Sequence, residues 1–389
     1  TDSVDSVEET GARVLRGDVR FTSPTTAEID GAPVRFAQAI IATGSSPAIP
    51  DLPGLDTVDP LTSDTVWELR TLPDRLVVLG GGAIGCELAQ AWARLGSRVT
   101  LVHRGPRLLP KEDPDASAIV AAALAADGVE VVLDARAARV EPDTGGGADG
   151  VAAAGGAGRI VLDDGREHPF DRVLVATGRR PRTADLGLEA AGVRTDDRGY
   201  VVVDAALRTS NRRIRAAGDV AGLPAFTHLA GVGGSAAATN AVLGLRRGIA
   251  MNAVPRVTFT DPEVASVGAG LAEAREKGWE VREVALSHTD RAIAEGRTTG
   301  FARLIVDARG RVHGAAIVGP RAGETLGEAS VAVTHGLSTS QLAAATHAYP
   351  TYSDAVWNAA VLDVRARLER PVMVRAIRVL RALRSLVVR

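Results

Sequence analysis

The sequence contains only one cysteine, Cys86, in 389 residues. A single thiol can form neither an internal disulfide nor a cysteine-based metal cluster within one chain, so a reducing compartment is favoured and no metal site is predicted. Apolar runs long enough to cross a bilayer are absent, and no charged segment followed by an apolar one opens the chain. We therefore predict a cytoplasmic protein.

A surplus of charge of either sign is also missing. The chain has 45 Lys and Arg residues against 47 Asp and Glu residues, for a net charge of −2. This balance lacks the basic excess of a nucleic-acid-binding protein, so no nucleic-acid partner is predicted. The length predicts two or three domains, and the 46% apolar content is that of an ordinary globular protein.

The clearest pattern in the chain lies between residues 76 and 102. The unbroken apolar run at residues 76–79 predicts a strand covered on both faces of a parallel sheet. Residues 83–95 have the composition of a helix that ends at Gly96, and residues 98–102 predict a second strand. The order is therefore strand, turn, helix, strand.

A glycine-rich turn joins the first of these strands to the helix. In Gly80-x-Gly82-x-x-Gly85 the glycines provide a tight bend, a backbone that a pyrophosphate can approach, and close helix packing. The free N–H groups at the helix start, at Ala83 and Ile84, would face the anion. In this β-α-β setting the motif predicts a dinucleotide site.

The residues that follow the second strand bear on which nucleotide binds. A carboxylate there would accept hydrogen bonds from the ribose of NAD, whereas an arginine accommodates the 2′-phosphate of NADP. The sequence has His103 and Arg104, with Arg107 close behind, and no carboxylate. We predict NADP(H), with NAD(H) and a solvated basic turn as open alternatives.

Two strands that end in Ala-Thr-Gly flank this unit, at residues 42–44 and 176–178. With the glycine-rich turn between them, residues 14–363 resemble the pyridine nucleotide-disulfide oxidoreductases, most closely the mercuric reductase and dihydrolipoamide dehydrogenase branch. The resemblance implies an α/β fold with two Rossmann-like dinucleotide-binding domains, for FAD and NADP(H), the FAD domain incomplete at its N-terminus. It also implies an α+β C-terminal dimerisation domain and a homodimer. The implied segments are 1–72 and 183–252 for the FAD domain, 73–182 for the NAD(P) domain, 253–363 for the dimerisation domain and 364–389 for a basic amphipathic tail.

The resemblance places four residues near the two cofactors. Thr43 and Gly44 lie near the flavin cofactor in such proteins, and Gly178 lies near the nicotinamide. Glu87 matches a glutamate near the flavin–nicotinamide junction, although a glutamate at a helix start is also favoured by the helix dipole. For Cys86, packing as a small residue is favoured over redox chemistry.

A second FAD fingerprint is implied at Gly218 and Asp219. By resemblance, the strand before them brings Gly218 close to the cofactor, and the Asp219 carboxylate accepts hydrogen bonds from ribityl hydroxyls. Ala225 and His228 follow where the family continues its flavin contacts. His228 is predicted to be a neighbour of the flavin and not a catalyst, with packing or capping as the alternative.

The candidate catalytic residues lie in the stretch from His347 to Asp354. Disulfide-reducing members place a histidine directly before Pro-Thr as an acid–base and a glutamate later in the motif, where this chain has Tyr349 and Asp354. If the stretch is extended, alternation places His347 on the same face as Tyr349, where it could substitute as the base. Mercuric reductases also lack this histidine, but their C-terminal cysteine pair is absent here, which leaves Hg(II) open as a substrate.

The family's first FAD glycine fingerprint and its Cys-x4-Cys redox pair do not occur in this sequence. The main hypothesis is an NADPH-dependent flavoprotein that reduces a small-molecule acceptor. The rivals are a truncated nucleotide-binding and dimerisation module without turnover, and a dihydrolipoamide dehydrogenase-type disulfide reductase, which would need a histidine at Tyr349.

Three further segments carry predictions of their own. Residues 143–158, rich in glycine and alanine, predict an irregular hairpin loop, and residues 200–203 predict a strand. Residues 371–389 predict a helix with apolar side chains on one side and arginines on the other. Such a helix lies on an anionic membrane surface or docks on its own or a partner subunit.

Overall fold

The structure is a computed structural model that describes residues 3–143 and 156–387. The predicted loop at residues 143–158 thus lies, for residues 144–155, outside the described residues. The helices of the described part are α1 Val4–Glu8, α2 Ala83–Leu95, α3 Pro114–Ala126, α4 Thr227–Leu243, α5 Leu271–Lys277, α6 Asp290–Ala294, α7 Ala322–His335, α8 Thr339–Ala344, α9 Asp354–Leu368 and α10 Pro371–Val387. The strands are β1 Val19–Ser23, β2 Thr26–Ile29, β3 Ala32–Arg35, β4 Ala39–Ile41, β5 Ser45–Pro47, β6 Leu61–Thr62, β7 Arg75–Leu79, β8 Arg98–Val102, β9 Glu130–Val132, β10 Ala137–Pro142, β11 Gly158–Leu162, β12 Glu167–Phe170, β13 Arg172–Val175, β14 Arg179–Pro181, β15 Ile214–Ala216, β16 Arg256–Thr258, β17 Glu263–Gly268, β18 Glu280–Ala285, β19 Phe301–Val306 and β20 Val312–Gly319.

The chain divides into two compact units. The first comprises Thr1–Ala48 and Arg179–Ile249, and the second comprises Ile49–Gly178 and Ala250–Arg389. The five segment boundaries implied by the resemblance stay predictions.

The first unit is built from short strands around α4. Strands β1, β2 and β3 form an antiparallel meander, β5 pairs with β14, and β4 pairs in parallel with β15. The core beneath them includes Phe21, Ile41 and Ile214, all buried. Because β4 and β15 are parallel neighbours, the residues that follow them emerge at the same edge.

The second unit contains a five-stranded parallel sheet in the order β6-β13-β7-β8-β9. Residues 76–79 of β7 are all less than 5% exposed, as expected for a strand covered on both faces. Helix α2 ends at Gly96, which has a φ of 111°, the left-handed conformation that glycine adopts without strain. The carboxyl ends of β7, β8 and β13 place the glycine-rich turn, His103 and Gly178 at one edge.

The second unit also holds an antiparallel sheet in the order β16-β17-β20-β19-β18. Helix α7 packs on β17 and β20, and α9 packs on β18 and β19. Their small buried residues, among them Ala329, Ala332, Ala355 and Ala359, allow close approach to the sheet. This is the α+β part expected at residues 253–363.

A buried arginine joins the two sheets of the second unit. The Arg303 side chain on β19 is 4% exposed, and its guanidinium pairs with Asp113, Asp115 and Glu283. Asp113 and Asp115 stand at the start of α3, directly after the loop that follows β8. The loop beside the glycine-rich turn is therefore anchored to the antiparallel sheet.

One local prediction is wrong, and one short helix was not predicted. Residues 200–203 form no strand. Val201 makes only an isolated bridge to Thr195, and it is buried because it packs on the core, without a partner strand. The polar start of the chain contains α1, whose N-cap Ser3 accepts a hydrogen bond from the Ser6 N–H.

Candidate functional site

The three glycines of the turn after β7 are under different constraints. A Cβ on Gly80, whose φ is 115°, would lie 2.4 Å from the Ala176 carbonyl oxygen. A Cβ on Gly85 would lie 1.8 Å from the Gly80 oxygen, whereas a Cβ on Gly82 would meet nothing within 4 Å. Packing therefore requires Gly80 and Gly85, while the backbone of Gly82 is open to a ligand.

The start of α2 offers hydrogen-bond donors beside this open backbone. Gly82 is the N-cap and has no side-chain acceptor, and the Cys86 N–H donates to the Gly82 oxygen at 2.9 Å. The N–H groups of Ala83 and Ile84 precede that bond, so they have no acceptor within the helix. These donors and the positive end of the helix dipole fit a pyrophosphate.

His103 contacts the glycine-rich turn, and its predicted contact with the nucleotide stays a prediction. Its Nδ1 accepts a hydrogen bond from the Gly81 N–H at 3.1 Å, which requires an unprotonated nitrogen. Burial, and then the charge of Arg104, lower the pKa of His103 from 6.5, against the opposing effect of Asp134. The neutral imidazole thus holds the glycine-rich turn.

The two arginines after β8 have different surroundings. Arg107 donates to the backbone oxygens of Glu112 at 2.6 Å and Pro110 at 2.8 Å, which fixes its own loop. Arg104 is exposed and has no hydrogen-bond or ion-pair partner within the described ranges. Of the two guanidiniums, Arg104 is the one available to a phosphate.

Glu87 and Cys86 lie next to each other on α2 but face different surroundings. Glu87 Oε1 accepts a hydrogen bond from the Phe259 N–H at 2.8 Å. Burial raises the pKa of this carboxyl, and the bond from Phe259 partly offsets the rise. The Cys86 thiol is buried, which raises its pKa to about 12. A thiol so far from ionisation at neutral pH supports the packing interpretation.

In the first unit, Asp219 is the centre of a polar cluster. Its Oδ2 accepts a hydrogen bond from Ser45 Oγ at 2.5 Å and lies 3.5 Å from Arg179 Nε, which also donates to Ser45 Oγ at 2.6 Å. Sequence reasoning missed Ser45 and Arg179. Each directly follows one of the two Ala-Thr-Gly motifs, so the repeat itself was the available signal.

The other predicted flavin residues of the first unit surround this cluster or begin α4. Thr43 Oγ1 donates to the Arg182 oxygen at 2.7 Å, and Gly44 and Gly218 adopt φ values of 69° and 74°. A Cβ on Gly44 would meet nothing within 4 Å. Ala225 is exposed before α4, and exposed His228 stacks on Phe226 with ring centroids 5.2 Å apart.

In the second unit, Gly178 lies at the same sheet edge as the glycine-rich turn. Its φ is 149°, and a Cβ there would meet nothing within 4 Å. An open backbone after β13 is compatible with the predicted approach of the nicotinamide.

His347 and Tyr349 have different hydrogen-bond partners, so the structure does not show the common face assumed for them, and the substitution of His347 as the base stays a prediction. His347 Nε2 lies 2.8 Å from Glu328 Oε1, and its Nδ1 lies 3.0 Å from the Ala345 oxygen. The Tyr349 hydroxyl donates instead to Asp290 Oδ2 at 2.5 Å. Residues 346–348 form no strand, so the alternation assumed for them does not apply.

Asp354 is not hydrogen-bonded to Tyr349. It is buried in the first turn of α9 and accepts a hydrogen bond from the Thr351 N–H at 3.2 Å. The bond to Asp290 raises the pKa of Tyr349, as do the charges of Asp290 and Asp354. Tyr349 is therefore a hydrogen-bond donor at neutral pH and is poorly suited to accept a proton.

Residues 3–143 and 156–387 show neither a group of side chains suited to a metal ion nor a helix suited to span a membrane. No three histidine, cysteine or acidic side chains there stand in a group that could hold a metal ion. No helix there is both long and apolar enough to cross a membrane.

Two family models match the chain. The pyridine nucleotide-disulphide oxidoreductase model matches residues 4–242, and the dimerisation domain model of the same family matches residues 254–360. Among curated proteins, a mercuric reductase of Bacillus cereus is 38% identical over 357 residues, which is 90% of this chain and 55% of that protein. A mercuric reductase of Streptomyces lividans is 40% identical over 90% of this chain and 74% of its own length. A dihydrolipoyl dehydrogenase of Thermus scotoductus is 38% identical over 89% of this chain and 74% of its own.

Solved structures show the same relationship. The HOCl-induced flavoprotein disulfide reductase RclA from Escherichia coli superposes with a TM-score of 0.79 at 28% identity, covering 90% of this chain and 79% of that one. LpdA from Mycobacterium tuberculosis superposes with a TM-score of 0.81 at 29% identity, covering 92% and 78%. The chain spans 55%, 65% and 64% of three bacterial mercuric reductases that it matches. These matches confirm the predicted α/β fold and a family whose cofactors are FAD and NAD(P)H. The chain belongs to the pyridine nucleotide-disulphide oxidoreductase family.

Proposed function

We propose that this chain is the nucleotide-binding, flavin-binding and dimer-forming part of an NADPH-dependent flavoprotein reductase. When bound, FAD would accept hydride from NADPH and pass the electrons to a small acceptor. The observation that carries the proposal is the open Gly82 backbone at the start of α2, at the same sheet edge as Arg104, which has no partner among the described residues. The protein's part is to bind and orient the two cofactors.

The preference for NADPH rests on the residues after β8. No carboxylate stands there to receive a ribose hydroxyl, and Arg107 is occupied by backbone oxygens. Arg104 is left to pair with the 2′-phosphate, which an arginine can bind through two parallel hydrogen bonds.

Arg104→Ala tests this assignment in a direct binding measurement. A hydrogen bond to a charged group contributes about 1.5–3 kcal/mol, so the Kd for NADPH should rise by about 10- to 100-fold while that for NADH stays the same. The control is Arg98→Ala, an exposed arginine at the opposite end of β8. Equal weakening for NADH and NADPH, or none for either, would show that Arg104 does not read the phosphate.

A measurement of NADPH consumption distinguishes the proposed enzyme from the alternative, a nucleotide-binding and dimerisation module without activity. The proposed enzyme, purified with FAD, shows a flavin spectrum that NADPH bleaches. A colourless protein that binds NADPH and neither retains FAD nor consumes NADPH fits the module.

The acceptor is proposed only as a small molecule. Hg(II) is a soft ion that prefers thiolate ligands, and the only thiol of this chain is buried with a pKa near 12. Tyr349 stands where disulfide-reducing members have a histidine, and its hydroxyl donates to Asp290, so this residue does not favour a disulfide acceptor. NADPH consumption with Hg(II), with lipoamide and with a soluble quinone would distinguish these acceptor classes.

We also propose a symmetric homodimer, for which the match of residues 254–360 to the dimerisation domain is the support. Sedimentation equilibrium of the purified chain tests it: a mass of twice 40.3 kDa is expected.

A further inference from the structure

The last helix, α10, exposes its apolar side chains. Pro371–Val387 lies beyond the region matched by the dimerisation model, which ends at residue 360. By contrast, α9 buries Ala355, Val356, Ala359 and Ala360. The exposed apolar residues of α10, with their exposed fractions, are Val372 76%, Met373 40%, Ile377 38%, Val379 58%, Leu380 64% and Leu383 54%.

These apolar residues share one side of the helix. At 3.6 residues per turn, Val372, Leu380 and Leu383 fall within an arc of about 80°. Arg375, Arg378 and Arg381 lie around the opposite direction, and Arg384 lies near one edge of the apolar side, between Met373 and Ile377. The sequence pattern and the exposure together define an amphipathic helix with an uncovered apolar side.

The arginines of α10 are also uncovered. Arg375, Arg378, Arg381 and Arg384 have no ion-pair partner among the residues that the structure describes, and α10 contains no acidic residue. Docking of the apolar side on its own subunit, one alternative left open by the sequence, is not what the structure shows. A ligand for this helix must therefore cover apolar surface and supply negative charge.

We propose that α10 binds the surface of an anionic phospholipid bilayer and lies in its interface. The apolar side would enter the boundary between headgroups and acyl chains, and the arginines would pair with the lipid phosphates. A second copy of α10 fits less well, because it would cover the apolar side but supply no negative charge to the arginines, since α10 contains no carboxylate. This inference does not depend on the proposed reductase activity.

Co-sedimentation of the full chain with vesicles tests the proposal. We expect strong binding to vesicles of phosphatidylcholine and phosphatidylglycerol, weak binding to phosphatidylcholine alone, and weaker binding as salt is raised. Leu380→Ser with Leu383→Ser should lower the partition coefficient at least about tenfold, since two buried leucines are lost. The control pair, Leu362→Ser with Leu368→Ser, changes two exposed leucines of α9 and should leave binding within about twofold.

The arginines are tested separately. The triple variant Arg375→Gln, Arg378→Gln and Arg381→Gln should lose about 100-fold in binding to the anionic vesicles, because each arginine near the surface contributes about fivefold. Its control is Arg212→Gln, Arg246→Gln and Arg309→Gln, three exposed arginines elsewhere. Unchanged thermal unfolding in all variants keeps folding out of the comparison.

Three results would overturn the proposal. The first is equal binding to neutral and anionic vesicles, and the second is no binding to either. The third is conversion of a dimer to a monomer by Leu380→Ser with Leu383→Ser while vesicle binding stays the same. That result would show that α10 contacts a second copy of the chain.

Discussion

Among single residues, Gly82 and Gly85 belong to one motif but should fail in different ways when substituted. Gly85→Ala puts a Cβ 1.8 Å from a backbone oxygen and should destabilise the second unit by about 3 kcal/mol or more. Gly82→Ala meets no protein atom, and its φ of −81° suits alanine, so the unfolding temperature should change little. It should nevertheless weaken NADPH binding, because the methyl group fills the space predicted for the pyrophosphate.

Thermal unfolding and NADPH titration of both variants check this contrast. If Gly82→Ala binds NADPH as tightly as the unmodified chain, the pyrophosphate does not bind beside Gly82. Normal stability of Gly85→Ala would mean that the turn can relax.

His103 should make nucleotide binding sensitive to acid. Because the folded-state pKa of His103 is lowered, the stabilisation from its neutral form is complete above 6.5 and is lost as the pH falls below 6.5 toward the folded-state pKa. Protonation removes the acceptor for the Gly81 N–H, so NADPH affinity should fall over that range, with Arg104 and Asp134 as the neighbouring charges.

The variant His103→Gln isolates this effect, since an amide oxygen can accept the Gly81 hydrogen bond but does not titrate. Its NADPH affinity should be nearly constant between pH 5 and 7, whereas His103→Leu should bind weakly at both values. Parallel pH profiles for His103→Gln and the unmodified chain would contradict the assignment.

The residues of the predicted site differ in how far the sequence could define them. Gly80, Gly82 and Gly85 have the geometry that their spacing predicted, because a glycine's role follows from its own backbone. The partners of His103, Tyr349 and His347 could not be predicted, because they lie 19 or more residues away in sequence and are joined only by folding.

At the scale of elements, the anchor around Arg303 should contribute strongly to stability. Arg303→Met leaves three carboxylates close together beside β19. We expect the free energy of unfolding to fall by about 3 kcal/mol. This is the low end for breaking a buried ion pair, because Asp115 and Glu283 are partly exposed. The control is Arg159→Met, whose solvent-exposed pair with Glu141 should contribute little to the free energy of unfolding. Urea unfolding measures both, and equal losses would contradict a special role for Arg303.

The same anchor predicts a direction for acid unfolding. Burial alone would raise the pKa of Asp115, but the bonds from Arg303 outweigh it and leave that pKa below 3.8. The stabilisation is therefore present above pH 3.8 and is lost as the pH falls through the folded-state pKa. Arg303→Met should unfold with a weaker acid dependence than the unmodified chain.

Elements with strong local signals were predicted closely. The bounds of α2 and β8 are those predicted from the sequence, since an apolar strand, a glycine turn and a terminal glycine define both ends. The strand predicted at residues 200–203 failed because a strand also needs a partner. Helix α1 was missed because only its cap and first turn favour it.

For the whole molecule, the division into two units predicts that the cofactors protect different parts of the chain. In flavin-free protein, NADPH should slow hydrogen exchange in α2 and the turn before it, in the second unit, and leave β4 and β15 unchanged. FAD alone should protect residues 43–47 and 218–219 of the first unit. Protection of the first unit by NADPH without FAD would contradict this assignment.

The buried state of Cys86 has a practical consequence for studying the chain. Its thiol is 0% exposed, and it is the only cysteine in the sequence. Maleimide reagents attack exposed thiolates, so they should pass over the native protein. A cysteine introduced at any exposed position, on α10 for instance, would then carry a spectroscopic label at a single known place without prior removal of a native thiol.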